Sequence, residues 1–228
     1  LSGLTASGLR RWATKSIVYV IVLAAILCLS AGRLDWIAGW VYVGLVAAVQ
    51  VIDVLALPHE LLAERSQIRE GTKRWDMVLV SSMVLWLPLL TWIVAGLDER
   101  FSWSPDLASW LTIASIILAL AGALFTVSAM RANAYFSGTV RIQSERGHQV
   151  ATSGPYRLMR HPGYVGMIVH YLAVPLILGS LRAYIPVALW IAVTIVRTAL
   201  EDKTLQAELP GYREYAQTVR YRMLPRVW

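Results

Sequence analysis

The chain has 228 residues, of which 57% are hydrophobic and only 15% charged, and its mean hydropathy is +0.55. Soluble domains carry about 25% charged residues. The composition therefore excludes a disordered chain and a nucleic-acid-binding module, and with Cys28 as the one cysteine it also excludes a disulfide-rich secreted scaffold. The net charge of +7 becomes a question of which connections hold the basic residues, rather than a sign of polyanion binding.

Six apolar runs follow one another: 16–31, 37–57 closed by Pro58, 77–97, 107–130, 164–178 and 183–199. A membrane-crossing helix needs about 20 apolar residues. The second, third and fourth runs have that length, and the first is a little short. The fifth and sixth are short and joined by Gly179-Ser180-Leu181-Arg182, which reads as a helical hairpin rather than one fused span. No run alternates polar with apolar residues, so spanning strands are not expected. The prediction is an all-α, polytopic integral membrane helical bundle of about six spans, forming a single membrane domain over 1–228 with four spans in 1–130.

The positive-inside rule is an independent check on that division. Of the 21 Lys and Arg, 18 lie at the N-terminus, between runs two and three, between runs four and five, and after run six. The alternate connections hold only Arg33, Arg100 and Arg182. Both termini and the 131–160 connection are thus expected in the cytoplasm. Trp36, Trp40, Trp75, Trp103 and Trp110 fall near span ends, as an interfacial belt requires. The first run, with its basic flank and Ser30-Ala31-Gly32, would also suit a cleaved signal peptide, but the charge alternation counts it as a span. The chain opens without Met, so a few residues are expected to be missing or altered at the N-terminus.

Polar chemistry concentrates between Arg131 and Tyr164 and again after run six. Ser153-Gly154-Pro155-Tyr156 and His161-Pro162-Gly163-Tyr164 are turn signals, and Pro162 suits a helix start because its missing N–H would be unpaired there. His161 has two readings of equal weight: a helix-entry residue bonded to a loop carbonyl, or part of a pocket at the membrane surface. Arg197 and Glu201 are four apart on one helix face. They read either as an interfacial ion pair with a snorkelling arginine or as two residues facing ligands, since a charge following directly on an apolar run usually faces a bundle interior. Asp53, with Gln50 one turn before it, is an intramembrane carboxylate. Pairing with His59 or a loop arginine is preferred over a functional role by about two to one. His170 is expected to be a helix-packing residue and Cys28 a small apolar core residue. No His, Asp and Glu set has metal-ligand spacing, so no metal is expected.

The stretch 150–156, Val-Ala-Thr-Ser-Gly-Pro-Tyr, followed by Arg160-His161-Pro162-Gly163-Tyr164-Val165-Gly166, resembles the signature of the isoprenylcysteine carboxyl methyltransferase family, whose outline the phospholipid methyltransferases share. So does the tail with Arg197, Glu201-Asp202, Leu205, Tyr212, Tyr215 and Tyr221-Arg222-Met223-Leu224-Pro225. The resemblance covers 133–228. It implies S-adenosylmethionine held on the cytoplasmic side, in a region 131–228 that ends in a cytoplasmic helix. It implies that His161 and Tyr164 line the cofactor pocket, that Glu201 contacts the cofactor, and that Arg197 sits near the carboxylate of a lipid acceptor. The cofactor-binding set expected is His148, Gly154, Tyr156, Arg160, His161, Pro162, Tyr164, Glu201, Tyr212 and Tyr215. Arg197 and Asn133 are expected on the acceptor side, with Arg197 and Glu201 in the catalytic role. The partners implied are a lipophilic small-molecule or prenylated acceptor and membrane lipids, with no nucleic acid. Asp202 stands where the family usually has a second Glu, and Leu209-Pro210-Gly211-Tyr212 is shorter than the usual segment. The alternatives are a phospholipid or amine methyltransferase, which would need a base for a protonated amine, an NADPH-dependent membrane reductase, and a non-enzymatic transporter or scaffold.

Overall fold

The computed structural model describes residues 2–228, with side chains described from residue 6 onward. Nine α-helices and no strand occur among the described residues: α1 (Ser2–Ala31), α2 (Ile37–Ala56), α3 (His59–Arg65), α4 (Arg74–Ser81), α5 (Leu87–Phe101), α6 (Ser109–Ala132), α7 (Pro162–Ile177), α8 (Tyr184–Glu208) and α9 (Tyr212–Thr218). A π-type segment, Ser82–Trp86, joins α4 and α5 into one continuous rod, Arg74–Phe101. Five helices are long and apolar enough to cross a membrane: α1, α2, the α4–α5 rod, α6 and α8. The sixth apolar run forms α8. The fifth forms α7, whose 16 residues extend about 24 Å, short of the roughly 30 Å hydrocarbon core.

Local chemistry explains the boundaries. Pro58 follows the last turn of α2, where Leu57 N–H still bonds Asp53 O at 3.0 Å, and cannot extend it. Pro88 would clash with the carbonyl four residues back in a regular helix. The wider π register just before it avoids that clash, and Leu87 N–H reaches back five residues to Ser82 O. Pro162 starts α7, as its sequence position predicts. Gly179, at φ +71°, supplies the left-handed turn between α7 and α8 that a side chain would strain. That turn is tied to the end of α5: Asp98 accepts from Ser180 Oγ at 2.5 Å and from Ser104 N and Oγ at 2.7 and 2.6 Å.

The helices approach through small residues, as lipid-embedded helices do. A Cβ on Gly122 of α6 would lie 2.6 Å from Gly166 O of α7. His170 meets Ala119 O across the same contact at 3.1 Å, the packing role expected of it. The largest apolar cluster joins Leu23 and Leu27 of α1, Tyr42 and Leu45 of α2, Trp92 of α5 and Val174 and Ile177 of α7. Three details differ from expectation. The first helix starts well before its apolar run, because its amphipathic beginning packs Leu9 and Trp12 onto Leu61 and Leu62 of α3. Trp36 is buried, against Gly39, rather than placed in a belt. Cys28 is half-buried and outside the core.

Candidate functional site

The segment between α6 and α7 has almost no regular structure, yet its polar groups are tied down one by one. Asn133 ends α6. Its Oδ1 accepts from Tyr135 N–H at 2.9 Å and its Nδ2 donates to Tyr156 Oη at 3.3 Å. Tyr135 Oη donates to Gly147 O at 2.8 Å, and Gln143 Nε2 donates to Tyr135 O at 2.7 Å. His148 lies against Tyr135, with ring centroids 4.6 Å apart and planes tilted by 32°. Its Nδ1 is 3.3 Å from Gln143 N–H. Burial, reinforced by Arg141 and Arg146, lowers His148 to a pKa of about 4, so it is a neutral acceptor at pH 7. Arg141 fastens the loop to α3 through Glu64 at 2.6 Å.

The Arg160-His161 pair meets α8 at Asp202, a fully buried carboxylate. Asp202 Oδ1 lies 2.7 Å from Arg160 Nε, 3.2 Å from His161 Nε2 and 3.1 Å from Tyr212 Oη. Asp202 Oδ2 accepts from Arg160 Nη2 at 2.9 Å, Gln206 Nε2 at 2.8 Å and Arg222 Nε at 3.0 Å. Arg160 Nη1 donates to Val219 O and Arg220 O, both at 2.8 Å. The backbone continues the tie, with Arg160 N–H on Tyr221 O and His161 N–H on Arg222 O. Arg160 therefore clamps the C-terminal tail. His161 bonds a buried carboxylate, not the loop carbonyl of its simpler reading. Burial and the neighbouring Asp202 raise the Tyr212 phenol above its usual range, and burial does the same for Tyr156 and Tyr215. All three stay neutral phenols, Tyr212 donating to Asp202, Tyr215 to Tyr156 O, and Tyr156 accepting from Asn133.

One turn away on α8, Arg197 and Glu201 point to different partners. Arg197 forms a paired contact with Asp76 of α4, Nε to Oδ1 at 2.6 Å and Nη2 to Oδ2 at 3.1 Å, and Nη2 also donates to Gly138 O at 3.0 Å. Its guanidinium lies 5.5 Å from the Tyr164 ring centroid. Glu201 Oε2 accepts from Tyr164 Oη at 2.6 Å. The two residues do not form the ion pair that their spacing allows. Arg197 nevertheless has a buried protein partner that spacing alone does not reveal.

These groups surround a cavity of about 510 Å³. Asn133, His148, Tyr156, Arg160, His161, Tyr164, Arg197, Glu201, Tyr212 and Tyr215 all line it. Gly154 and Pro162, expected in the cofactor-binding set, do not. Gly154 is exposed at φ +55° and serves the turn ahead of Tyr156, and Pro162 is buried at the helix start. The expected site set leaves out Asp202, which the sequence marks only as a departure from the family pattern, and misses Asp76 and the wall of the spans altogether. Asp202 and Asp76 carry the interior ion pairs, and the clue to each was a carboxylate at the edge of an apolar run. The wall also continues into the membrane-spanning part, with Tyr19, Tyr42, Met83, Tyr171 and Trp190. Tyr171 stacks on Trp190 at 4.1 Å. Asp53 lines the cavity too: it does not pair with His59, and the charge nearest to answering it is Arg65, which acts on it through space without a hydrogen bond or close ion pair, so its Oδ1 is buried without a hydrogen-bond partner.

Comparison with known proteins places the same stretch. The phospholipid methyltransferase family model matches residues 110–209, from α6 through the loop and α7 to the end of α8. A cobalt-zinc-cadmium resistance protein of Cupriavidus metallidurans is 30% identical over 137 residues, covering 58% of this chain and 59% of that protein. A delta(14)-sterol reductase of Mus musculus is 33% identical over 95 residues, 40% of this chain and 23% of the reductase. Protein-S-isoprenylcysteine O-methyltransferase A of Arabidopsis thaliana is 27% identical over 99 residues, 43% of this chain and 46% of the plant enzyme. The chain thus spans between about a quarter and three fifths of the length of these relatives. The matched segment coincides with the helices and loop that build the cavity, and through it the chain is similar to the phospholipid methyltransferases and to an isoprenylcysteine methyltransferase.

Proposed function

We propose that the protein is an S-adenosylmethionine-dependent methyltransferase whose acceptor is a lipophilic molecule held in the bilayer, the reacting group being the carboxylate of an isoprenylcysteine-like compound. One observation carries this reading: a single cavity runs from Tyr156, Tyr212, Tyr215 and Glu201 to Tyr19, Tyr42 and Trp190 of the spans. A soluble cofactor suits the first end and a membrane-borne acceptor the second. The basic ends of the chain favour an orientation with both termini and the 131–160 connection in the cytoplasm.

The residues present fit such a cofactor. Glu201 is half-buried, with Oε2 taken by Tyr164 and Oε1 open as an acceptor for ribose hydroxyls or an amino group. The ring faces of Tyr156, Tyr164 and Tyr212 suit a sulfonium cation. When bound, S-adenosylmethionine supplies an electrophilic methyl carbon, whose bond to sulfur breaks as an acceptor oxygen forms the new C–O bond. An acceptor carboxylate is already ionised at pH 7, so the chain needs no general base. Its tasks are alignment and exclusion of water. Asp76 holds the Nε–Nη2 edge of Arg197 and Gly138 O takes a further N–H of Nη2, leaving Nη1 as the guanidinium nitrogen without a hydrogen bond among the described residues. Arg197 accordingly offers an acceptor the N–H groups of one nitrogen rather than a paired grip across two nitrogens.

The 33% identity to a sterol reductase over 95 residues favours a second reading, a membrane reductase using NADPH. Retention of radiolabelled S-adenosylmethionine against labelled NADPH by the purified protein separates the two. S-adenosylmethionine alone should be retained. NADPH retention would transfer the assignment to the reductase, and retention of neither would point to a non-enzymatic membrane protein. Mass spectrometry of lipid extracts incubated with labelled cofactor would then identify the acceptor.

A further inference from the structure

Most charges on the cavity wall already have partners in the protein. Lys15 Nζ donates to Ser66 O at 2.8 Å, Arg141 pairs with Glu64, Arg160 with Asp202, Arg197 with Asp76, and Glu201 accepts from Tyr164. Two charged side chains remain, Asp53 near the end of α2 and Arg65 at the end of α3. Asp53 Oδ1 is buried with no hydrogen-bond partner. Among the described residues Arg65 makes no side-chain hydrogen bond, and its guanidinium lies 5.1 Å from the Phe136 ring centroid. The two have opposite charge and border one cavity, yet they form no ion pair with each other. Both side chains are half-buried and attract each other only through space, and a partly desolvated charge without a hydrogen-bonded partner is costly, most of all at membrane depth. Two such charges held apart make sense where something between them completes both.

We propose that Asp53 and Arg65 form a recognition subsite for a zwitterionic group of the acceptor, with an ammonium at Asp53 and a carboxylate or phosphate at Arg65. The proposal rests on the reading of the cavity as an acceptor site and deepens it. Gln50, one turn before Asp53 and 3.3 Å from Ser16 Oγ, adds a polar neighbour on the same wall. Arg65 replaces Arg197 as the residue able to grip an anion through two parallel N–H groups. Both residues lie outside the 110–209 family match, so the subsite belongs to the part of the chain that adapts the cavity to its own acceptor. An amine held as ammonium also has no lone pair to attack with, so in an amino-acid acceptor the carboxylate oxygen is the nucleophile, and a phosphate at Arg65 would be bound without being methylated.

The test uses the full chain in detergent and two probe pairs differing by the ammonium: S-farnesylcysteine against N-acetyl-S-farnesylcysteine, and lysophosphatidylethanolamine against lysophosphatidylglycerol. Wild type should bind the ammonium-bearing member of at least one pair ten-fold or more tightly than its partner. Preference within the farnesylcysteine pair assigns an amino-acid group, and preference within the lysophospholipid pair assigns a lipid headgroup. Asp53→Asn should abolish the preference while keeping or raising Tm, because the protein gives Asp53 Oδ1 no bond to lose. Arg65→Gln should weaken all four probes. Equal binding within both pairs by wild type overturns the proposal, as does an Asp53→Asn variant with lowered Tm and intact preference. Cofactor retention is measured separately, so a failed methyltransferase assignment does not pass for a failed subsite.

Discussion

On the α8 side of the cavity, charge is matched to charge. Asp202 gathers Arg160, His161, Tyr212, Gln206 and Arg222, and Arg197 closes on Asp76. On the α2–α3 side, Asp53 and Arg65 face the same space without such partners. A wall that satisfies its own charges is scaffold first and ligand surface second, whereas a wall that leaves them open is complete only with something bound. The difference teaches that a polar residue beside a cavity must be judged by its unused hydrogen-bonding capacity. Arg160, with every donor nitrogen engaged by protein, holds architecture. Glu201, with one oxygen open, can still hold a ligand.

Breaking the satisfied wall should have the largest effect. Asp202→Ala strands Arg160 in the interior and frees the C-terminal tail, and losing one partner of a buried pair costs about 3–5 kcal/mol. The variant should fail to accumulate as folded protein in fluorescence-detected size-exclusion chromatography. Arg197→Met should come next, since it leaves Asp76 buried with only the Val140 N–H bond at 2.6 Å. The double variant Arg197→Met with Asp76→Leu should regain most of the lost Tm, because a buried ion pair replaced by apolar groups is often neutral in stability. If it does not, Arg197 holds the fold through contacts beyond Asp76.

Glu201→Gln sharpens the comparison from the ligand side. Loss of a charged hydrogen bond to a ligand costs about 1.5–3 kcal/mol, roughly ten- to hundred-fold in Kd. Calorimetric titration of S-adenosylmethionine should show that loss with Tm nearly unchanged. An unchanged Kd would return Glu201 to the scaffold.

The smallest effect concerns His148. Burial lowers its pKa from 6.5 to about 4 in the folded protein. The unfolded chain therefore binds the proton first as pH falls, so the stability contributed by neutral His148 is present above pH 6.5 and is lost between pH 6.5 and about 4. The drop in Tm from pH 7 to pH 5 should be smaller in His148→Gln than in wild type. Equal drops would mean that other groups set the acid sensitivity.

The spans were legible because apolar length is a local signal. Runs 37–57 and 107–130 became α2 and α6 within a few residues. Ten of the twelve expected site residues reached one cavity, since the turn signals around Pro155 and Pro162 sit beside the residues they position. The partnerships were not legible. Asp76 and Arg197 are 121 residues apart in sequence, and Arg160 and Asp202 are 42 apart. Such pairings are set by which helices become neighbours, not by any pattern along one helix. The start of α1 was missed for a related reason: Leu9 and Trp12 gain their apolar partners from a cluster built by α2, α3 and α6.

The π segment ahead of Pro88 bears on the deep end of the cavity. In that register the carbonyl of Met83 would receive its hydrogen bond from residue 88, but a proline has none to give. Trp190 of α8 supplies it instead, Nε1 to Met83 O at 2.9 Å, and the same indole stacks on Tyr171 of α7. The missing donor thus becomes an attachment point that brings three separate rods into register where the aromatic floor lies. Pro88→Ala would offer that carbonyl a donor within its own helix, so the indole would share an acceptor it now holds alone, while every span kept its length and hydropathy.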